Sequence, residues 1–270
     1  MRRAVLGIIA LLSVSACSSG LFSSSPSSPQ KIPAEEEPDS RRPTPPRDNR
    51  TRAKLHTELG SLYLQSQNLS VALEELTMAI VIDPDYAPAY GARGLVLFHI
   101  REPALADRDF QQALNLDPND PELNNNYGWF LCQVGREKEA IPHLQRAMKN
   151  ALYETPERAY LNAGACYVKL GDLDAAEGFV EHSLLIRPNN PQALLQRAEI
   201  NYRRGQLELA SQQLSDLLRK TEPNAEALWL VVRVERKLGD RLAEARYSAQ
   251  LKRKFPLSPE AQELLKGNFE

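Results

Sequence analysis

From about Arg52 onward the small and apolar residues recur at a fixed interval, and that interval sets the elements. With Ala53 counted as position 1, position 8 is Gly60, Gly94, Gly128, Gly164, Ala198 and Val232 in six successive units. Position 20 is Ala72, Ala106, Ala140, Ala176, Ala210 and Glu244. Position 24 is Leu76, Phe110, Leu144, Val180, Leu214 and Ser248, and position 27 is Ala79, Ala113, Ala147, Ser183, Leu217 and Leu251. Small residues at positions 8 and 20 let two helices of one unit touch. Gly135, Gly171, Gly205 and Gly239 all stand at position 15, where a turn between those helices needs a residue tolerant of positive φ. The prolines keep the same beat: Pro118 follows Pro84 by 34 residues, Pro188 follows Pro118 by 70, and Pro256 follows Pro188 by 68.

A 34-residue period with helix–turn–helix punctuation is the tetratricopeptide (TPR) signature. The expected fold is all-α: a TPR superhelix of about six helix–turn–helix repeats with a short C-terminal capping helix. The repeats read 53–86, 87–120, 121–156, 157–190, 191–224 and 225–258, with the cap in 259–270. The third carries a two-residue insertion, placed around 151–156. The sixth keeps Gly239 and Pro256 but loses both small positions, as terminal repeats do when they close a stack.

The N-terminus carries a different pattern. Arg2 and Arg3 precede an apolar run from Ala4 to Leu12, followed by Val14-Ser15-Ala16-Cys17. This is the layout of a secretory signal peptide, and a Cys directly after the small residues resembles the lipobox of bacterial lipoproteins. The resemblance implies a signal peptide over 1–16, cleavage before Cys17 and lipidation of its sulfur and new amine, since several acyl chains anchor stably where one does not. Ser18 rather than Asp follows Cys17, which in the Gram-negative sorting rule favours the outer membrane. Residues 18–50 hold 8 Ser and 7 Pro and few apolar side chains. Together with Cys17 they read as a disordered tether over 17–51, ahead of a TPR domain in 52–270.

Composition narrows the function. The 270 residues carry 33 Lys and Arg against 35 Asp and Glu, a net charge of −2, which argues against a generally basic nucleic-acid binder. Only 13 Gly and 7% aromatic residues argue against a β-sandwich or a Gly-rich nucleotide fold. His56, His99, His143 and His182 share no common face and form no metal-binding pair. No nucleophile elbow or phosphate loop occurs, so neither an enzyme nor a cofactor or metal site is expected.

In TPR arrays helix A lines a concave groove, mainly through positions 2, 5, 6, 9, 12 and 13. Those positions nominate Asn125, Asn126, Trp129, Cys132 and Gln133 in the third repeat. They nominate Arg158, Leu161, Asn162, Val168 and Lys169 in the fourth, and Leu195, Gln196, Glu199, Tyr202 and Arg203 in the fifth. Asn126 and Asn162 share position 6, where each amide is expected to pair with a peptide donor and acceptor, and Trp129 is expected to anchor an apolar side chain. Cys132 and Cys166 stand at positions 12 and 10 of neighbouring A helices. They are either a disulfide or two buried thiols, and a Cα separation beyond about 7 Å would exclude the bridge.

The third and fourth repeats read Leu123-Asn-Asn-Asn-Tyr-Gly-Trp-Phe-Leu131, then Cys132-Gln-Val-Gly-Arg136, Glu139-Ala140 and Tyr160-Leu-Asn-Ala-Gly-Ala-Cys166. The end reads Leu228-Trp-Leu, Gly239-Asp240 and Lys252-Arg-Lys-Phe-Pro256. With a lipobox, a polar tether and six TPRs, the chain resembles the type IV pilus biogenesis lipoproteins of the PilF/PilW family. The resemblance implies a pilotin: a periplasmic, outer-membrane-anchored adaptor that binds the secretin subunit and promotes its localisation and multimerisation. It transfers no residue list to the groove. The alternative is a TPR lipoprotein adaptor for cell-envelope enzymes or β-barrel assembly. Either way the partners are proteins and the outer membrane, with neither nucleic acid nor a small-molecule substrate.

Overall fold

The computed structural model describes residues 46–269, with side chains from residue 48. The segment expected to be a signal peptide, Cys17 and the expected tether up to residue 45 lie outside the described residues. Among the described residues thirteen helices follow one another: α1 (Pro46–Gln65), α2 (Leu69–Ile82), α3 (Ala87–His99), α4 (Pro103–Leu116), α5 (Pro121–Gln133), α6 (Glu137–Lys149), α7 (Pro156–Leu170), α8 (Leu173–Ile186), α9 (Pro191–Arg203), α10 (Leu207–Lys220), α11 (Ala225–Leu238), α12 (Arg241–Lys254) and α13 (Pro259–Lys266). Odd and even helices from α1 to α12 pair within a repeat, each even helix packs on the next odd one, and successive odd helices touch. The odd helices therefore line one side of the stack. α13 rests on α11 and α12.

The pairing within a repeat is a close approach. A Cβ on Gly128 would lie 2.6 Å from Leu144 Cγ and 3.2 Å from the Ala140 carbonyl oxygen. Positions 8, 20 and 24 thus meet at one point, and Ala140 and Leu144 are fully buried there. In the sixth repeat Val232 is fully buried at position 8, where position 24 is the smaller Ser248. Several A helices begin with Pro behind a capping side chain. Asp120 accepts from the Leu123 amide at 2.8 Å, and Asn190 from the Gln192 amide at 3.0 Å.

The first helix starts earlier than the composition of the tether implies, because residues 46–51 are helical. The reason is polar. Arg50 pairs with Asp83 at 2.7 Å, donates to the Asp85 carbonyl at 3.4 Å, and stands over the Tyr86 ring at 5.2 Å. This docks the segment on the α2–α3 connection without apolar burial. The insertion in the third repeat lies in the α6–α7 connection, residues 150–155, against four residues in the other inter-repeat links. Tyr153 folds inward there to pack on Ala147 and Ala159.

Position 15 is left-handed in every repeat. Gly135, Gly171, Gly205 and Gly239 have φ between +76° and +82°, and the same position in the first two repeats is filled by Gln67 at +62° and Arg101 at +68°. A side chain in that region costs about 1–2 kcal/mol. Part of the cost is returned by a less flexible unfolded chain. Arg101→Gly is therefore expected to raise stability by about 0.5–1 kcal/mol, read as a higher midpoint in chemical denaturation.

Cys132 and Cys166 form a disulfide, with Cα atoms 5.6 Å apart. Both are fully buried, so the bridge ties α5 to α7 inside the stack. Its ring spans 34 residues, which the chain-entropy model values at about 3–4 kcal/mol. The Cys132→Ala, Cys166→Ala pair should lose stability of that order. Reductant in the denaturation series should lower the midpoint of the parent and leave that of the double variant unchanged.

Candidate groove for a protein partner

Three cavities follow one another along the odd helices. The first, about 510 Å³, is lined by Asn125, Asn126 and Trp129 of α5, Arg158, Leu161 and Asn162 of α7, and Arg187 and Gln192 among others. The second, about 480 Å³, shares Trp129, Leu161 and Gln192 with the first and continues through Lys169, Gln196 and Arg203 to Trp229 and Arg233. The third, about 680 Å³, shares Val168, Arg203 and Arg233 with the second and adds Tyr202 and Lys237. The shared walls make one continuous groove over repeats three to six.

At its first cavity the groove is built on amides. Asn125 is fully buried, accepts from Asn162 Nδ2 at 2.9 Å, and donates to Asn126 Oδ1 at 3.2 Å. The two position-6 amides are drawn partly into the wall. Each is half engaged in the wall, which leaves the Asn126 NH₂ and the Asn162 carbonyl oxygen without a partner among the described residues. One donor and one acceptor from adjacent repeats remain, in fixed orientation, for a bound backbone. Beside them the Glu157 carboxylate, 2% exposed, is held by Arg187 at 2.8 Å. Trp129 stands edge-on to Phe98, with ring centroids 5.3 Å apart, and divides the first cavity from the second.

Other nominated residues are spent on the wall itself. Lys169 donates to the Cys132 carbonyl at 2.7 Å, and Gln133, which is exposed and lines none of the three cavities, accepts from Lys169 at 3.5 Å. A cation on the last carbonyls of α5 is favourable against the helix dipole. Gln196, with its amide nitrogen toward the Leu161 carbonyl at 3.2 Å, fits the backbone of α7 beside Gly164. Tyr202 is buried in the core of repeats five and six, with Arg233 and Lys237 over its ring at 4.6 and 4.4 Å. Cys132 is taken by the disulfide. Arg158 pairs with Glu122 at 2.8 Å, and Arg203 with Glu199 at 2.6 Å.

Glu226, Trp229, Leu230 and Arg233 escaped the sequence reading, yet all four line the second cavity. They occupy positions 2, 5, 6 and 9 of the sixth repeat, in frame with the groove positions of repeats three to five. Desolvation of the Glu226 carboxyl, then the charges of Glu260 and Glu199, raise its pKa. A second surface was also legible in the repeat frame. Positions 3, 7 and 10 of helix A turn toward the preceding repeat, and in the third repeat Leu123, Tyr127 and Phe130 are buried there. In the first repeat the same positions are Leu55, Leu59 and Leu62, exposed by 59, 39 and 60%. The described residues contain no group of three or more metal-ligating side chains and no helix long and apolar enough to cross a membrane.

The tetratricopeptide repeat family model matches residues 90–223. The type IV pilus assembly protein PilF of Pseudomonas aeruginosa is 33% identical over 208 residues, covering 77% of this chain and 82% of PilF. This chain belongs to the PilF family of tetratricopeptide-repeat proteins. Among solved structures PilW, described as a widely conserved type IV pilus biogenesis factor, superimposes with a TM-score of 0.70 at 32% identity. The match covers 79% of this chain and 98% of PilW. Pseudomonas aeruginosa PilF superimposes with a TM-score of 0.66 at 31% identity, covering 82% of this chain and 99% of PilF. The fold of this family is a protein-interaction scaffold, and among the described residues the groove and the exposed strip of α1 are two surfaces open on it.

Asn126→Ala combined with Asn162→Ala removes the free donor and acceptor from the groove. Each is expected to cost about 1 kcal/mol of binding to a groove-bound backbone. Affinity for a captured partner should fall by about ten-fold or more, with a smaller effect on the melting temperature. Unchanged affinity in a titration with purified partner would remove the groove assignment.

Proposed function

We propose that the protein is a pilotin. In this reading it is a periplasmic adaptor, anchored in the outer membrane through lipid on Cys17, that binds the type IV pilus secretin subunit and promotes its localisation and multimerisation there. The observation that carries the reading is that PilF and PilW, both named for type IV pilus assembly or biogenesis, match nearly the whole repeat stack at about a third identity. The lipobox sequence supports the anchor. The buried disulfide suits a chain that is exported to an oxidising compartment. A tether between lipid and repeats would hold the stack near the membrane and raise the effective concentration of captured secretin there. The alternative partner class, cell-envelope enzymes or β-barrel assembly factors, would use the same anchor and scaffold.

A second docking reading rests on the uncovered face of α1. Three leucines at i, i+4 and i+7 form one apolar strip, and exposed apolar patches of this kind mark interaction surfaces. There the secretin segment would stand in for a missing preceding repeat.

Cys17→Ser is expected to leave the repeat domain folded and release it from the outer membrane. Secretin multimers should then fall in amount or shift to the inner membrane, as read by fractionation and by gel mobility of the multimer. A variant still fractionating with the outer membrane would overturn the anchor. Leu55→Glu with Leu62→Glu, compared with the two asparagine substitutions, separates the docking surfaces: loss of secretin capture in the leucine pair alone assigns the α1 face.

A further inference from the structure

Charge is not spread evenly along the stack. The first repeat, residues 53–86, carries one Lys against five Asp and Glu, and the sixth, residues 225–258, carries eight Lys and Arg against four. A chain with a net charge of −2 is therefore acidic at one end of its repeat array and basic at the other. The basic excess gathers on α12. Among the described elements that helix packs on α11 and α13 alone, so its opposite face is open. Arg241, Arg246, Lys252 and Arg253 are all exposed there. At about 100° per residue, Arg241 and Lys252 follow one edge of the face and Arg246 and Arg253 the other, over about 18 Å. Leu242, Ala245 and Ala249, also exposed, fill the strip between the two rows.

The carboxylates around α12 are engaged away from this face. Asp240 caps the amides of Leu242 and Ala243, Glu244 pairs with Arg236 at 2.8 Å, and Glu222 pairs with Lys254 at 3.2 Å. Beyond the described residues at this end stands one acidic side chain, Glu270, against four cations in two rows. Helix stability accounts for only part of the cluster. Lys252 and Arg253 in the last turn suit the helix dipole, whereas Arg241 at the first helical position opposes it and Arg246 lies mid-helix. Two cationic rows flanking a flat strip of small side chains, with Leu242 exposed by 86%, match a charged lipid surface. The long side chains reach the phosphates while the strip lies against the interface.

We propose that the open face of α12 docks the sixth repeat on an anionic phospholipid surface. The contact is independent of the secretin and rests on the lipid-anchor reading only for its consequence. A stack already tethered to a membrane meets the headgroups at high effective concentration, so a contact that is weak in solution is enough. The attraction acts over about 8 Å at physiological ionic strength, so the acidic first repeat at the other end of the stack does not oppose it. Because this face is turned away from α11, docking leaves the groove along the odd helices open to a partner.

The test is co-sedimentation of the full chain carrying Cys17→Ser with vesicles of phosphatidylglycerol and phosphatidylcholine in equal parts, against vesicles of phosphatidylcholine alone. This parent should bind the anionic vesicles and be released as salt is raised. Arg241→Gln, Lys252→Gln and Arg253→Gln together should lower the partitioning by about a hundred-fold. The melting temperature should hold, since the three side chains make no hydrogen bond or ion pair among the described residues. Removing as many exposed cations from α6, with Lys138→Gln, Arg146→Gln and Lys149→Gln, should leave binding nearly unchanged. Any contribution of the apolar run 4–12 is common to all three proteins and both vesicles. Equal binding of the parent to the two vesicles would overturn the face, and would include its masking by Glu270 or Glu35–Glu37, which the full chain retains. Equal loss in the two triple variants would also overturn it, as would release of the parent by inorganic phosphate at matched ionic strength. In cell fractions a high-salt wash strips a chain held through α12 and leaves one held through lipid on Cys17, so a failed face and a failed anchor give different patterns.

Discussion

Everything in this molecule depends on how closely two helices of one repeat approach at position 8. At Gly128 there is no room for a Cβ between α5 and the Ala140–Leu144 turn of α6. That contact fixes the two helices as a unit, and a fixed pair presents the same strip of its A helix each time. Stacking then places the A helices side by side, and the groove is the surface they share. Because each repeat packs only on its neighbours, the groove's chemistry is what the A helices supply, joined at the first cavity by inter-repeat residues such as Arg187.

The fold was legible because this constraint is written in residue size. Small residues at positions 8 and 20 carry through five repeats without interruption, Gly holds position 15 in the last four repeats and Pro keeps its place in four of the six; all are local signals. The site was less legible, because size says nothing about which polar side chain is already engaged. Asn126 and Asn162 do face the groove, but the buried Asn125 between them claims half of their hydrogen bonding. Lys169 and Gln196 occupy groove positions and spend their polar atoms on the backbones of neighbouring A helices. Long side chains can reach across the roughly 8–10 Å between packed helices, and a single sequence does not say whether they reach sideways or outward. The polar order of residues 46–51 was hidden for a related reason: Arg50 docks through ions and a ring, which a count of apolar residues does not register.

In the sixth repeat the packing positions and the groove positions vary independently. Its lost small positions mark it as terminal, and they are matched by an exchange of bulk between Val232 and Ser248. Its groove positions remain in frame, and Glu226, Trp229, Leu230 and Arg233 form part of the wall of the second cavity. The first repeat gives the mirror case. Leu55, Leu59 and Leu62 keep the apolar character that inner repeats need at positions 3, 7 and 10, where no preceding repeat covers them among the described residues. Both ends of the stack thus carry surfaces that the inner repeats bury or share.

The disulfide sits where the stack is least regular. The α6–α7 connection is two residues longer than its counterparts, and its Tyr153 packs on Ala147 and Ala159 across the join of the third and fourth repeats. Cys132 and Cys166 tie the same two repeats through their A helices. Lys169 adds to it by donating to the carbonyl of Cys132 itself. These are the same two repeats whose asparagines form the amide chain, so Asn125 and Asn162 are held in register by a covalent bond about one to two helical turns away. In a stack whose repeats can otherwise shift against each other, a hydrogen bond that spans two repeats is only as well placed as the interface beneath it. The bridge therefore serves the groove as much as the fold: it keeps the free donor of Asn126 and the free acceptor of Asn162 at a constant spacing, which a peptide backbone requires.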